Sequence, residues 1–203
     1  FTSFYHDLQA LRMRAISPLE TITVSLGTVQ AGDAYNVIPN DLYFAGSSRF
    51  FSYDKAGKIF FESIEPMLAR ACETYNCTYE IVHMKKPLYE AYNNEFCADL
   101  AEKAITKYIG ADTLYNAEPW MASETFALTQ RLYPGLLTFT GIMNKEKGTG
   151  ANHHTPEFDI DEDGLATGVE AAMGYVLDYL AEKPEIPFER NIISLDDLTS
   201  RNL

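Results

Sequence analysis

The histidine pair His153-His154 is the best candidate for metal chemistry in this 203-residue sequence. The pair ends a polar, glycine-containing connection that begins at Gly148 and directly follows an apolar run. Because ligand sites in α/β sheets form beyond the carboxyl ends of strands, histidines in this position could bind a metal; the alternative is a solvated loop. His6 and His83 are more typical of structural or exposed histidines. The sequence has no His-Glu-x-x-His and no Cys-x-x-Cys pattern, which excludes a zinc finger.

Arg49 and the segment 36–39 are candidates for substrate binding. A guanidinium can grip a carboxylate through two parallel hydrogen bonds, although an arginine on a strand face is more often part of a salt bridge. For the segment 36–39, the alternative is a loop that packs its two apolar residues into the core. Nucleophile patterns are weaker, because no Gly-x-Ser-x-Gly turn occurs and Ser123-Glu124 has no evident partner.

Charge and composition exclude several classes of protein. There are 16 Lys and Arg against 29 Asp and Glu, a net charge of −13, which argues against nucleic-acid binding. The longest apolar stretches are shorter than the ~18 residues that a membrane span needs. The three cysteines, Cys72, Cys77 and Cys97, are an odd number without metal-site spacing, and they are expected to be buried free thiols of a cytoplasmic protein.

The elements that would position the first candidates follow a split β-α-β order. The periodicity predicts, in chain order, a helix over 3–14, strands over 21–29 and 41–51, a helix over 55–76 and a strand over 78–85. Pro66 predicts a kink or two shorter helices within 55–76. This order matches a ferredoxin-like unit without its first strand, so the sequence is expected to begin inside a domain. The alternative is a complete three-stranded sheet.

The second half alternates helices with an apolar run. Helices are predicted over 94–109 and 163–181, and the run Leu136–Ile142 is typical of a strand that is covered on both faces. The later helix carries an apolar stripe of Leu165, Val169, Ala172, Val176 and Leu180. The fold class is therefore α/β (α+β), with a domain boundary between residues 86 and 94.

Four motifs resemble one known family when they are taken together. They are Gly32–Pro39, Gly46–Phe51, Met121–Phe126 and His153–Glu162. In this order they are similar to the aminoacylase-like zinc metallopeptidases, in the branch of hippurate hydrolases and N-acyl-L-amino-acid amidohydrolases. The resemblance covers residues 1 to about 182. It implies a ferredoxin-like lid (dimerisation) domain over 1–90, lacking its first strand, followed by the C-terminal portion of the α/β catalytic domain over 91–203.

The resemblance also implies an activity and residue roles. The activity is metal-dependent hydrolysis of the amide bond of N-acyl amino acids or small peptides, with two zinc ions; manganese, cobalt and nickel are alternatives. His154 would be a metal ligand, with His153 in reserve, and Glu124 would be a catalytic residue near the metals or the pocket wall. Asn36 would reach the substrate or oxyanion, in its own subunit or across a dimer, and Arg49 would hold the substrate carboxylate.

Other features of the sequence limit this reading. The family's remaining metal ligands and its general base have no matching motif here, so the chain alone is expected to be inactive. Thr125 stands where the family has aspartate, which leaves a relative without activity as an alternative. A homodimer through the lid is expected, because the third strand and its neighbours leave a sheet edge to be covered and a bare edge favours pairing. The alternative from another class is a non-catalytic ferredoxin-like binding or dimerisation module.

Overall fold

The structure is a computed structural model that describes residues 1–85 and 88–200. Its elements, in chain order, are α1 (Thr2–Arg14), β1 (Ile22–Gln30), β2 (Tyr43–Phe50), a π-helical turn (Tyr53–Gly57), α2 (Lys58–Thr74), α3 (Glu95–Tyr108), a 3₁₀ turn (Ala111–Thr113), α4 (Phe126–Gln130), α5 (Asp163–Glu182) and α6 (Leu195–Thr199). They form two compact units. The first contains Phe1–Glu90, Trp120–Leu128 and the residues from Ile193 onward, and the second contains Ala91–Pro119 and Thr129–Ile192.

The core of the first unit lies between the β-hairpin and two helices. β1 and β2 pair antiparallel, and exposure alternates along β1 as the sequence predicted for a half-buried strand. The buried residues of this core are Phe4, Leu8, Ile16, Ile22, Ala56, Phe60, Met67 and Ala71. Gly27 is an extra residue in the ladder, because Leu26 pairs with Gly46 and Thr28 with Ala45. Such a bulge bends the strand locally and increases its twist.

Helix α2 runs through Pro66 without a break. It is one α-helix from Lys58 to Thr74, so the alternative of two shorter helices is wrong. Proline removes one helical hydrogen bond and crowds the carbonyl four residues earlier. Here both Pro66 and Glu62 are exposed, so water can satisfy the freed carbonyl.

Two predicted strands are not strands in the structure. Within the described residues the sheet contains β1 and β2 only, and neither 78–85 nor Leu136–Ile142 joins a ladder. The side chain of Asn93 pairs with Leu137 instead, accepting its N–H at 2.8 Å and donating to its carbonyl at 3.0 Å. Leu136–Ile142 is also not buried, since Phe139 is 62% exposed. The mixed α/β class is confirmed. The apolar run Leu136–Ile142 could not by itself indicate whether a neighbouring strand is available to pair with it.

Helices α3 and α5 form the core of the second unit. Cys97, Leu100, Ala101 and Ala104 are the buried residues of α3. On its last turn, Lys107 and Tyr108 both donate to Asp178 of α5, at 2.7 and 2.8 Å. The hydrogen bond from Lys107, followed by that from Tyr108, lowers the pKa of Asp178. Both predicted helices are confirmed, to within one or two residues at each end.

The apolar stripe predicted on α5 is present but is not buried. Leu165, Val169, Val176 and Leu180 are 45–62% exposed, and Ala172 is exposed as well. Among the described residues, no helix is long and apolar enough to cross a membrane.

The cysteines do not all match the expectation of buried thiols. Cys97 is buried, Cys72 is intermediate and Cys77 is exposed, and all three are free. Cys77 follows the end of α2, where the chain has turned away from the core.

Candidate functional site

Arg49 and Ser123 come together in the first unit. Nη1 of Arg49 donates to Oγ of Ser123 at 2.8 Å, although 74 positions separate the two residues in the sequence. Both residues are exposed. Two of the four motifs, which are far apart in the sequence, therefore meet at one hydrogen bond.

The guanidinium of Arg49 has no carboxylate partner within residues 1–85 and 88–200. The salt bridge that an arginine on a strand face usually makes is therefore absent from the described part of the chain. A guanidinium carries five N–H donors in a rigid fork, and the bond to Ser123 occupies one of them. The remaining N–H groups can donate to a carboxylate of a ligand.

The strand face around Arg49 is small and polar. Ala45, Ser47 and Arg49 alternate along β2 and so project to one side, as the sequence predicted. In the neighbouring strand, Ser25 pairs with Ser47, and their Oγ atoms are 3.5 Å apart. Thr23 pairs with Arg49 itself. Hydroxyl groups rather than bulky side chains therefore border the guanidinium.

Glu124 lies two residues before the short helix α4. Its Oε1 accepts the backbone N–H of Phe126 at 3.2 Å and the hydroxyl of Thr125 at 3.4 Å. Its own carbonyl accepts the N–H of Ala127. Thr125, the departure from the family motif, thus contacts the glutamate that the motif shares. The carboxylate is exposed. Glu124 directly follows Ser123, the hydrogen-bond partner of Arg49, in the chain.

Asn36 lies in an exposed connection between β1 and β2. Every residue from 31 to 42 is exposed, and Val37 and Ile38 are 61% and 92% exposed. The alternative in which these two residues pack into the core is therefore wrong. The connection joins β2 at Tyr43, six residues or roughly 20 Å of strand from Arg49. Asn36 takes no part in the hydrogen bond between Arg49 and Ser123.

The loop that carries His154 is tied together at its two ends. Near its start, Asn144 donates from Nδ2 to Asp161 at 2.6 Å, and Nζ of Lys147 lies 2.6 Å from carboxylate oxygens of both Asp161 and Asp163. The hydrogen bond from Lys147, then that from Asn144, lowers the pKa of Asp161. The same two carboxylates raise the pKa of Lys147, with Asp161 contributing most. We call these four residues the loop clamp.

The two histidines stand at the exposed end of this loop. Their rings meet edge to face, with centroids 4.8 Å apart at 67°. His154 has a φ of 68°, in the left-handed region that few non-glycine residues adopt, although histidine does so more often than most. Within the described residues no three His, Cys, Asp or Glu side chains are grouped so that they could hold a metal. A catalytic zinc typically has three protein ligands, so the described residues do not by themselves form such a site.

Two contacts of the site had no signal in the sequence. Arg49 and Ser123 lie in separate segments, and only the tertiary structure pairs them. The loop clamp joins residues 14 to 17 positions apart across a loop, where neither strand nor helix spacing applies.

Comparisons with known proteins agree with the four motifs. No family model matches the chain. Over 179 residues it is 28% identical to IAA-amino acid hydrolase ILR1-like 4 of Arabidopsis thaliana, covering 87% of this chain and 40% of that protein. It is 26% identical over 164 residues to thermostable carboxypeptidase 2 of Saccharolobus solfataricus, covering 81% and 41%. The chain thus spans about two fifths of the length of these curated relatives.

A solved structure is also similar. It is that of a candidate aminohydrolase from methicillin-resistant Staphylococcus aureus, with a TM-score of 0.74 and 26% identity over 88% of this chain and 45% of the other. Over most of its own length the chain is therefore similar to amidohydrolases and carboxypeptidases.

Proposed function

We propose that this chain is the lid and part of the catalytic region of a metal-dependent amidohydrolase. Its substrates would be N-acyl amino acids or small peptides, cut at the amide bond. The observation that carries the proposal is the Arg49–Ser123 hydrogen bond, which joins two of the motifs at a guanidinium that has no carboxylate partner among residues 1–85 and 88–200. The names of the relatives, a hydrolase of amino acid conjugates and a carboxypeptidase, fit a substrate with a free carboxylate.

Each proposed role follows from what the side chain offers. The guanidinium of Arg49 binds the substrate carboxylate through two charge-assisted hydrogen bonds. Ser123 holds the guanidinium in place from one side. Glu124, next in the chain, lies toward the amide to be cut. Asn36 donates from its amide to the substrate carbonyl, and its exposed connection lets it reach a substrate held by the partner of a homodimer.

The metal would be a pair of divalent ions, zinc or one of manganese, cobalt and nickel. Since the described residues do not fit a complete site, we propose that His154 supplies one ligand. The other ligands would come from the part of the relatives that this chain does not cover. The chain alone is therefore expected to be inactive, and we propose that the whole enzyme works in the cytoplasm.

The test compares the complete product of the natural gene with the 203-residue chain, each supplied with zinc. N-benzoylglycine is the substrate, and N-benzoylglycinamide, which lacks the carboxylate, is the matched control. We expect the complete product to cleave the acid in preference to the amide, to lose activity to a chelator, and the 203-residue chain to cleave neither. A complete product that binds no metal and cleaves no N-acyl amino acid or dipeptide would instead indicate a non-catalytic module.

A further inference from the structure

Cys72 and Cys77 occupy the two ends of the turn that terminates α2. The N–H of Cys77 bonds to the carbonyl of Cys72 at 2.9 Å, and the N–H of Asn76 bonds to that of Glu73 at 3.4 Å. Asn76, between them, has a φ of 57°. These are the two hydrogen bonds and the left-handed residue of a Schellman motif. In that motif the side chains at the positions of Cys72 and Cys77 commonly touch.

The backbone geometry brings the two cysteines within reach of a disulfide. With standard bond lengths, the 2.9 Å hydrogen bond between N of Cys77 and O of Cys72 limits their Cα atoms to about 6.8 Å. Disulfides span Cα separations of roughly 4.4–6.8 Å. The thiol of Cys77 also points back over the helix end, because its Sγ contacts the carbonyl of Tyr75 at 3.4 Å.

We propose that Cys72 and Cys77 form a reversible disulfide, a redox-sensitive lock on the C-terminal end of α2. The oxidant is a small-molecule disulfide. The exposed Cys77 thiolate attacks it and releases one small thiol, giving a mixed disulfide. The Cys72 thiolate then attacks the sulfur of Cys77 and releases the second small thiol. One S–S bond breaks, one forms, and the two cysteine protons leave on the two small thiols.

The lock acts where the chain of the first unit leaves α2. Residues 78–85 leave the turn without joining the sheet, and the hydroxyl of Tyr79 bonds to Glu65 of α2 at 3.2 Å. A disulfide would tie the start of this segment to α2 by a covalent bond. The N–H groups of Asn76 and Cys77 should then exchange with solvent more slowly than in the reduced chain.

The test equilibrates the 203-residue chain with oxidised and reduced glutathione at graded ratios, traps remaining thiols by alkylation and maps them by mass spectrometry. We expect Cys72 and Cys77 to lose two hydrogen atoms as a pair, with Cys97 still a thiol. The equilibrium constant should be at least about tenfold more favourable in the folded chain than in denaturant, because the turn holds the thiols together. Glutathione adducts on Cys77 without ring closure, or equal constants in both states, would overturn the proposal.

Two substitutions of Asn76 separate turn geometry from mere nearness in sequence. Asn76→Gly keeps access to positive φ and should leave the constant unchanged. Asn76→Val, whose branched side chain disfavours positive φ, should lower the constant by roughly tenfold. Circular dichroism verifies that both variants are folded. Identical constants in the two variants would refute a role for the turn, and Cys97→Ala should form the same pair as the wild type.

Discussion

Arg49 is held in place without being neutralised. A hydroxyl partner fixes the direction of the guanidinium, whereas a carboxylate partner would have cancelled its charge and competed with a ligand. Its neighbours on the strand face, Ser47 and Ser25, are small, so a ligand carboxylate can approach from that side. This arrangement suits binding of an anionic group more than it suits stabilisation of the fold.

Replacing Arg49 should therefore weaken substrate binding. In the complete enzyme, Arg49→Ala should raise KM for an N-acyl amino acid by the equivalent of ~1.5–3 kcal/mol, the size of a hydrogen bond to a charged group. The KM for the corresponding amide should hardly change. Arg14→Ala is the matched control, since Arg14 is an exposed arginine of the same unit. Steady-state kinetics on both substrates decide the matter, and unchanged kinetics in Arg49→Ala would remove the role.

The two histidines should differ in their effect on metal content. His154 is the proposed ligand, and of the two histidines only His154 has a backbone in the left-handed region, with a φ of 68°. In the complete protein, His154→Ala should lose bound zinc while His153→Ala largely keeps it, as measured by elemental analysis. The isolated chain should bind little zinc, because a single imidazole cannot hold it tightly. Full metal occupancy in His154→Ala would falsify the assignment.

Among the elements, the loop clamp works through charge, and its pH dependence follows from its pKa shifts. The pKa of Asp161 is lowered from 3.8. Its contribution to the stability of the fold is therefore present above about pH 3.8 and is lost as the pH falls through the lower pKa of the folded state. The pKa of Lys147 is raised from 10.5. Its contribution to the stability of the fold is therefore present below pH 10.5 and is lost as the pH rises through the higher pKa of the folded state. The loop should be fully tied between these limits.

Removing the lysine should release the carboxylate. We expect Lys147→Met to raise the pKa of Asp161 toward its ordinary value, because the largest cause of the shift is gone. The hydrogen bond from Asn144 should keep it from returning completely. Lys145→Met, two positions away, should leave that pKa unchanged. Carboxyl chemical shifts followed by NMR during an acid titration give both values, and equal pKa values in the two variants would argue against the clamp.

The elements show what local sequence can and cannot predict. β1 and α5 were predicted because alternation and a four-residue repeat are properties of one segment. The prediction of a strand at Leu136–Ile142 was wrong because a strand also needs a partner strand. At Leu137 the side chain of Asn93 makes the two backbone hydrogen bonds that a partner strand would make. The same limit applies to the site. Arg49 could be nominated from its residue type, but its contact with Ser123 depends on a fold that spacing does not encode.

At the scale of the whole molecule, the hairpin has exposed surfaces that a second copy could cover. Within the described residues, β1 and β2 each have one neighbour, so two strand edges are open. Open edges favour pairing with another chain, and twofold dimers use the same patch on both copies. The connection beyond them carries Tyr35 and Ile38, which are 104% and 92% exposed.

A homodimer through this region should depend on that connection. Ile38→Asp should weaken the dimer of the complete protein by roughly tenfold or more, since it places a charge in an apolar contact. Leu19→Asp is the matched control, because Leu19 is 91% exposed but lies outside the hairpin. Sedimentation equilibrium measures both variants. A wild-type protein that remains monomeric, or equal effects of the two substitutions, would count against the interface.

The stripe on α5 indicates where a further part of the protein would pack. One side of α5 packs on α3, while the stripe defined by Leu165, Val169, Ala172, Val176 and Leu180 is exposed. Soluble monomers rarely leave contiguous apolar patches of this kind uncovered. The relatives have more than twice the matched length. We therefore propose that a region beyond these 203 residues covers the stripe in the natural protein.

A charge in the stripe should then have little effect on the stability of the 203-residue chain and a large effect on that of the complete polypeptide. In the 203-residue chain Val169 is 62% exposed, so Val169→Asp should change the free energy of unfolding by no more than about 0.5 kcal/mol. In the complete polypeptide the same carboxylate would be buried without a partner and should cost roughly 2 kcal/mol or more. Thr167→Asp, an exposed position outside the stripe, should be mild in both forms. Denaturant titrations of the six proteins test this, and a mild Val169→Asp in the complete polypeptide would show that the stripe stays exposed there.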